Sequence, residues 1–154
     1  MKASEIMATP VHVVDESCSL EEAARKMLTY KIGCLPVVNA DGQLTGIVTE
    51  SDFAAKEKGV PFSLYRFPQV FGEWMPKQGV ENMYAAARSR TVGEVMTRHV
   101  VILDADDGLE AVLEKMLRTG YHRLPVTSGG VPIGIVARHD LLRLMVRTQG
   151  MAEA

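Results

Sequence analysis

The chain has 154 residues, of which 47% are hydrophobic, so it suits one compact domain or two closely packed halves rather than a disordered chain. Its formal net charge of −2 argues against a nucleic-acid-binding protein, which normally carries a basic surplus on one face. No apolar run reaches the ~18 residues of a membrane span, and the charged N-terminus does not resemble a secretory signal, so we expect a cytoplasmic protein.

Residues 1–53 predict a β-α-β-β-α unit. The apolar run at residues 11–14 predicts a strand, and an amphipathic helix follows, with a capping box formed by Ser19 and Glu22. The segments LPVV and LTGIV predict two strands around a hairpin turn that contains Asp-Gly. A last helix is expected to begin near Asp52. The apolar positions of the amphipathic helix are Leu20, Ala23, Ala24, Met27 and Leu28.

Residues 54–90 are a predicted aromatic-rich, partly helical insert. A flexible linker would be rich in Gly and Ser, so we expect this stretch to fold onto a surface. One interpretation is a lid over the protein's own core or a dimer contact. The other is a docking surface for a partner, because exposed aromatic side chains are common interface anchors. The aromatic residues are Phe62, Tyr65, Phe67, Phe71, Trp74 and Tyr84.

Residues 91–154 repeat the pattern of the first unit. When Met96 is aligned with Met7, LPV recurs at residues 124–126 and GIVARHD matches GIVTESD. A strand is therefore predicted at residues 100–103, followed by a helix, a hairpin with the turn SGG, and a last helix near Asp140. The apolar positions of the first helix are Leu109, Val112, Leu113, Met116 and Leu117.

One unit of this size cannot bury its sheet alone. We therefore expect an α+β fold in which two β-α-β-β-α repeats pack with pseudo-two-fold symmetry around shared clefts. The duplicated segments resemble the CBS domain family, in the tandem arrangement called a Bateman module. The resemblance rests on IMATPVHVV, LPVVNADGQLTGIVTESD, VMTRHVVIL and YHRLPVTSGGVPIGIVARHDLL.

The resemblance implies a stand-alone, usually dimeric regulatory module that senses a small molecule. Its clefts are expected to bind AMP, ADP, ATP or S-adenosylmethionine and to transmit occupancy to a client protein. The alternative is a structural adaptor or dimerisation module with vestigial ligand sites, which would dock a partner through residues 54–90. We expect neither nucleic acid nor a membrane as a partner.

The first predicted ligand site lies where the GIV strand meets the last helix of its repeat. Thr49 offers a hydroxyl, and unpaired N–H groups at a helix start suit phosphate. Asp52 suits the two hydroxyls of a ribose, although an Asp at this position is alternatively only a helix cap. The resemblance favours the ribose role, and it implies that the partner repeat closes the other wall. Predicted ligand-binding residues are Gly33, Cys34, Pro36, Ile47, Thr49, Asp52, Thr97 and Val100.

The second predicted site differs in charge. Ala137 replaces the hydroxyl of Thr49, whereas two Arg and two His are added around the site and favour phosphate, including polyphosphate. Each Arg is alternatively a solvated surface residue. We expect unequal sites, with one occupied and one empty as a possible arrangement. The predicted ligand-binding residues are Thr9, Val11, His122, Arg123, Pro125, Ile135, Ala137, Arg138, His139 and Asp140.

No sequence motif points to catalysis or to a metal. The chain contains no P-loop, GxGxxG, HExxH or GxSxG motif, and its four His lack metal-ligand spacing. Cys18 and Cys34 lack C-x-x-C spacing and are expected to be small, reduced, buried residues. We therefore expect a protein that is not an enzyme and that requires no cofactor.

Overall fold

The computed structural model describes residues 1–53 and 84–150. It confirms the predicted α+β class, with two three-stranded sheets and helices. Most of the predicted insert, residues 54–83, lies outside the described residues. None of the described helices is long and apolar enough to cross a membrane.

Each repeat contributes the same order of elements. In the first repeat these are α1 (Ala3–Ile6), β1 (Val14–Asp15), α2 (Leu20–Tyr30), β2 (Cys34–Val38), β3 (Leu44–Thr49) and α3 (Glu50–Phe53). In the second repeat they are α4 (Val92–Val95), β4 (Leu103–Asp104), α5 (Leu109–Thr119), β5 (Arg123–Ser128), β6 (Val131–Ala137) and α6 (Arg138–Gly150).

The described chain forms two compact units, and each takes residues from both repeats. The β1–β3 unit contains Val13–Asp41, residues 45–53 and residues 84–99. The β4–β6 unit contains Met1–His12, Gly42–Leu44 and residues 100–150. The segment in front of the first strand of each repeat therefore belongs to the unit built around the sheet of the other repeat.

In the β1–β3 unit, β1 pairs in parallel with β2, and β2 is the central strand. The predicted capping box is confirmed at the start of α2. The Ser19 hydroxyl accepts the Glu22 N–H at 3.1 Å, and the Glu22 carboxylate accepts the Ser19 N–H at 3.0 Å. Helix α4 completes the core of this unit, because Val92, Val95 and Met96 pack among the buried residues of α2 and the sheet.

In the β4–β6 unit, β4 pairs in parallel with β5, and β5 pairs with β6 as an antiparallel hairpin. Gly129 and Gly130 form the turn with φ values of 57° and 82°. Positive φ at both central residues suits a tight two-residue hairpin turn and explains why two glycines stand there. Helix α1 packs into the core of this unit, where Ala3 donates its N–H to the Asp107 carbonyl at 2.8 Å.

Two predicted strands are wrong in position. The strands expected at residues 11–14 and 100–103 begin only at Val14 and Leu103, because the residues before them are half-buried or exposed but not paired in a ladder. The last helices begin at Glu50 and Arg138, near Asp52 and Asp140 as expected. An apolar run indicates burial, and burial does not require a strand.

The apolar stripes on α2 and α5 are only partly buried. Met27 and Met116 lie in the two cores, as their spacing predicts, whereas Leu28 and Leu117 are 80% and 81% exposed. Helical periodicity shows which face of a helix is apolar, but not how much of that face the sheet covers. Each repeat therefore exposes a Leu side chain at the equivalent helix position.

Candidate functional site

The first candidate site is the β3–α3 junction, formed by Thr49 to Asp52. The Asp52 carboxylate turns back to the end of β3, where its Oδ2 atom accepts the Thr49 N–H at 2.7 Å. The Thr49 hydroxyl lies 2.8 Å from the Ser51 hydroxyl and 3.4 Å from Asp52 Oδ2. Among the described residues, no hydrogen bond reaches Asp52 Oδ1. One carboxylate oxygen is thus held by the backbone, and the other can accept a hydrogen bond from a ligand.

Burial raises the pKa of the Asp52 carboxyl, and the hydrogen bonds from Thr49 oppose this shift only in part. When folding raises the pKa of a carboxyl group, its ionised form lowers the free energy of unfolding. This effect is complete at pH values above the folded pKa. This reduction disappears as the pH falls through the folded pKa. Ionised Asp52 therefore lowers the stability of the fold, which favours a role in binding over a role in folding.

We expect Asp52→Asn to raise the thermal unfolding midpoint at neutral pH, because Asn keeps an acceptor for the Thr49 N–H and carries no charge. The difference from the parent protein should shrink as the pH falls through the folded pKa of Asp52. Asp15→Asn is the control with opposite sign, since hydrogen bonds from Ser17 lower the pKa of Asp15. That variant should lose stability at neutral pH. Thermal melts across a pH series check both, and a lower midpoint for Asp52→Asn at neutral pH would contradict the expectation.

Other predicted residues of the first site lie in the β1–β3 unit. Glu50 donates its N–H to the Gly33 carbonyl at 3.1 Å, which joins the start of α3 to the residue before β2. Ile47 and Thr97 exchange two backbone hydrogen bonds of 3.0 and 2.9 Å. Cys34 and Pro36 are buried in β2. Thr97, from the other repeat, therefore lies beside Ile47, whereas Val100 belongs to the β4–β6 unit.

The second candidate site is the β6–α6 junction, formed by Ala137 to Asp140. Asp140 Oδ2 accepts the Ala137 N–H at 2.8 Å, and the side chain of Asp140 is nearly buried. Its Oδ1 atom lies 3.6 Å from the Arg143 guanidinium, so both oxygens have partners. The two junctions share one geometry, but only Asp52 keeps an oxygen without a partner among the described residues.

The remaining predicted residues of the second site lie in the β4–β6 unit. Ala8 and Ile135 exchange backbone hydrogen bonds of 2.8 and 3.3 Å, which places the neighbouring Thr9 beside β6. Arg138 donates its N–H to the His122 carbonyl at 3.0 Å. Pro125 is buried and Val11 is half-buried, whereas the four cationic or titratable side chains are exposed: His122, Arg123, Arg138 and His139.

The glycine of each GIV segment is a structural determinant that the sequence interpretation missed. A Cβ atom on Gly46 would lie 2.6 Å from Met96 Sδ and 2.9 Å from the Thr97 carbonyl oxygen. A Cβ atom on Gly134 would collide with the Met7 side chain. Glycine inside a strand often marks the close approach of another segment, so its occurrence in both GIV segments was the available signal.

An apolar cavity of about 700 Å³ lies in the β1–β3 unit, between α2, α3 and residues 84–88. Of the predicted ligand-binding residues only Asp52 lines it, so this cavity and the first predicted ligand site share one residue. Tyr84, from the predicted insert, is partly exposed at its wall, and its hydroxyl donates to the Phe53 carbonyl at 3.3 Å. The other lining residues are Leu20, Glu21, Ala24, Met27, Leu28, Lys31, Ile32, Glu50, Phe53, Ala87 and Arg88.

In residues 1–53 and 84–150, no group of three or more His, Cys, Asp or Glu side chains is placed to hold a metal ion. Cys18 and Cys34 are free thiols. Cys34 is buried, as the sequence predicts, and Cys18 is half-buried.

The duplicated sheets, hairpins and Asp-bearing junctions place the chain among α+β proteins built from a tandem repeat. The CBS domain model matches residues 3–59 and 92–147, and the chain belongs to this family. The CBS domain of a membrane protein from Sphaerobacter thermophilus is 39% identical, with a TM-score of 0.73 over 94% of this chain and 87% of that one.

Two further solved structures share the fold at lower identity. The CBS domain pair of protein MJ0100, in complex with 5′-methylthioadenosine and S-adenosyl-L-methionine, is 23% identical, with a TM-score of 0.70 over 96% of this chain and 98% of that one. CBSX2 in complex with AMP is 22% identical, with a TM-score of 0.70 over 96% of this chain and 98% of that one. The chain spans 62% of the length of the chloroplast relatives CBSX1 and CBSX2 from Arabidopsis thaliana.

Proposed function

We propose that the protein is a non-catalytic regulatory module that binds an adenosine-containing small molecule at its strand-to-helix junctions. The observation that carries the proposal is the geometry of Asp52, whose Oδ2 atom accepts the Thr49 N–H at 2.7 Å, while no hydrogen bond from the described residues reaches Oδ1. Relatives of the same fold support the ligand class, because MJ0100 binds 5′-methylthioadenosine and S-adenosyl-L-methionine and CBSX2 binds AMP.

The chemistry of the junction suits a ribose. A carboxylate oriented by a backbone N–H offers its second oxygen to a sugar hydroxyl, as acidic residues do in dinucleotide-binding folds. Ile47 lies two residues before Thr49 on β3 and offers an apolar side chain to a purine, and its backbone pairs with that of Thr97. Gly33 and Cys34 border the same junction through the Glu50–Gly33 hydrogen bond.

A bound ligand at this position has a route to a regulatory response. It would contact β3 and the segment around Thr97, which comes from the other repeat, so occupancy would stabilise their pairing. Coupling energies of about 1–3 kcal/mol are typical of such regulation. The proposed receivers are a second copy of the chain and a client protein, in the cytoplasm.

Exposed apolar side chains favour a protein contact and support the structural adaptor as a second candidate. Leu28 and Leu117 occupy equivalent positions on α2 and α5 and are 80% and 81% exposed. Exposed apolar patches commonly mark protein interaction sites. An adaptor would use this surface whether or not a nucleotide is present.

Isothermal titration and thermal melts with AMP, ADP, ATP, 5′-methylthioadenosine and S-adenosylmethionine test the proposal. A ligand at ~100 times its dissociation constant should stabilise the protein by ~2.7 kcal/mol. Asp52→Asn and Asp140→Asn should each weaken binding at their own junction at least tenfold, or ~1.4 kcal/mol. Asp41→Asn, in the exposed hairpin turn, is the matched control.

If no compound binds and none raises the melting midpoint, the adaptor replaces the sensor. If a compound binds and both junction variants bind it as tightly as Asp41→Asn does, the ligand site lies elsewhere.

A further inference from the structure

We propose that the two junctions select different classes of adenosine ligand by charge. The β3–α3 junction takes phosphate-free adenosine compounds with a neutral or cationic 5′ substituent. The β6–α6 junction takes adenosine phosphates. This inference rests on the proposed function and adds the ligand class of each site.

The two junctions can be compared position by position, because the backbone joins them in the same way. Glu50 donates its N–H to the Gly33 carbonyl at 3.1 Å, and Arg138 donates its N–H to the His122 carbonyl at 3.0 Å. In each unit, the first residue of the last helix is therefore hydrogen-bonded to the residue two positions before the LPV segment. These backbone bonds make Glu50 equivalent to Arg138 and Gly33 equivalent to His122.

The charges at these equivalent positions are opposite. The β3–α3 junction has a carboxylate at Glu50 and no basic side chain at the other three positions, which are Gly33, Cys34 and Ser51. The β6–α6 junction has guanidinium groups at Arg123 and Arg138 and imidazoles at His122 and His139. All four of these side chains are exposed. In the part of the chain that the structure describes, no ion pair neutralises Glu50, Arg123 or Arg138.

A phosphate would meet different environments at the two junctions. Beside Asp52 and Glu50 it would place a third anion near a carboxylate whose ionised form is already disfavoured by burial. The Thr49 hydroxyl already has partners in Ser51 and Asp52, at 2.8 and 3.4 Å. A neutral thioether avoids the repulsion, and a sulfonium cation turns it into attraction.

At the β6–α6 junction the same phosphate would meet two guanidinium groups, which form strong charge-assisted hydrogen bonds with phosphate oxygens. Asp140 carries its own ion pair with Arg143 at 3.6 Å, so its negative charge is partly compensated. Helix α6 also begins here, and the positive end of the dipole of this 13-residue helix favours an anion. The basic side chains and the helix start therefore both favour the binding of phosphate.

Exchange of the charged residues tests the selection. Adenosine, 5′-methylthioadenosine, AMP and ATP would each be titrated into two variants. Asp140→Asn weakens binding at the β6–α6 junction, so its titrations report the β3–α3 junction. Asp52→Asn weakens binding at the β3–α3 junction, so its titrations report the β6–α6 junction. We expect the first chain to bind 5′-methylthioadenosine at least tenfold more tightly than AMP. The second should show the reverse order, with ATP affinity that falls as salt is raised.

A second, charge-reversing substitution in each variant identifies the residues responsible. Arg138→Glu is added to Asp52→Asn, and Glu50→Arg is added to Asp140→Asn. Arg138→Glu should lower ATP affinity at least tenfold and change adenosine affinity less than threefold. Glu50→Arg should raise AMP affinity at least tenfold. Glu110→Arg, on an exposed position of α5, controls for the general effect of added charge.

The same order of affinities in both chains, or equal changes for adenosine and ATP in the reversal variants, would overturn the charge selection and leave the sensor intact. A folded chain that binds none of the four compounds would overturn the proposed function together with the selection.

Discussion

Replacement of Gly46 by alanine is expected to lower the free energy of unfolding by about 2 kcal/mol, because added atoms in a packed core force neighbouring groups apart. The new Cβ would lie 2.6 Å from Met96 Sδ and 2.9 Å from the Thr97 carbonyl oxygen. The sulfur can move with its side chain. The carbonyl cannot move without stretching the backbone pair between Thr97 and Ile47.

Gly134→Ala is the matched comparison. Its added Cβ would meet only the side chain of Met7 among its nearest neighbours, so a smaller loss is expected. The loss should shrink further in a Met7→Ala background, where the obstructing sulfur is gone, and the double-mutant cycle gives the coupling. Urea denaturation measures all three variants. Equal losses for Gly46→Ala and Gly134→Ala would show that the Thr97 carbonyl is not the limiting contact.

Asp140→Ala is expected to destabilise the protein by about 1–3 kcal/mol, the usual cost of leaving a buried hydrogen-bonding group without its partner. The Asp140 side chain is only 8% exposed, and its carboxylate accepts the Ala137 N–H at 2.8 Å where β6 ends and α6 begins. The substitution removes this acceptor and also the ion pair with Arg143 at 3.6 Å.

Asp140→Asn separates the two contributions, since it keeps an acceptor for the Ala137 N–H and removes the charge. We expect it to cost clearly less than Asp140→Ala in the same urea experiment. Arg143→Gln tests the ion pair alone and should have a small effect, because its guanidinium is mostly exposed. A loss for Asp140→Asn equal to that for Asp140→Ala would assign the stabilisation to charge rather than to the backbone hydrogen bond.

Local signals in the sequence predicted the elements that have local causes. The Ser19–Glu22 box, the periodicity of α2 and α5, and the Gly129–Gly130 turn all act within a few residues, and the structure contains each of them. Helices α1 and α4 were not predicted, because four residues are too few to show a helical period. Leu28 shows the limit of periodicity, since its exposure depends on what covers the helix.

The candidate site was predictable in composition and less so in arrangement. Asp52 and Asp140 follow from the repeated GIV-x-x-x-D segment, and both carboxylates reach the end of the preceding strand as a residue at that spacing can. The pairing of Ile47 with Thr97 depends on residues about fifty positions apart, and it was inferred from the family resemblance rather than from spacing. The Asp52 oxygen without a partner among the described residues and the ion pair of Asp140 could be found only in the structure.

The placement of α1 and α4 has a consequence for how the chain can be divided. Neither repeat carries all the residues of one hydrophobic core, because each core is closed by an arm from the opposite half of the sequence. A polypeptide with only one repeat would therefore need a second copy to donate the missing arm, as in a domain-swapped dimer. In this chain the two repeats exchange these arms within one molecule, so each core depends on residues from both repeats.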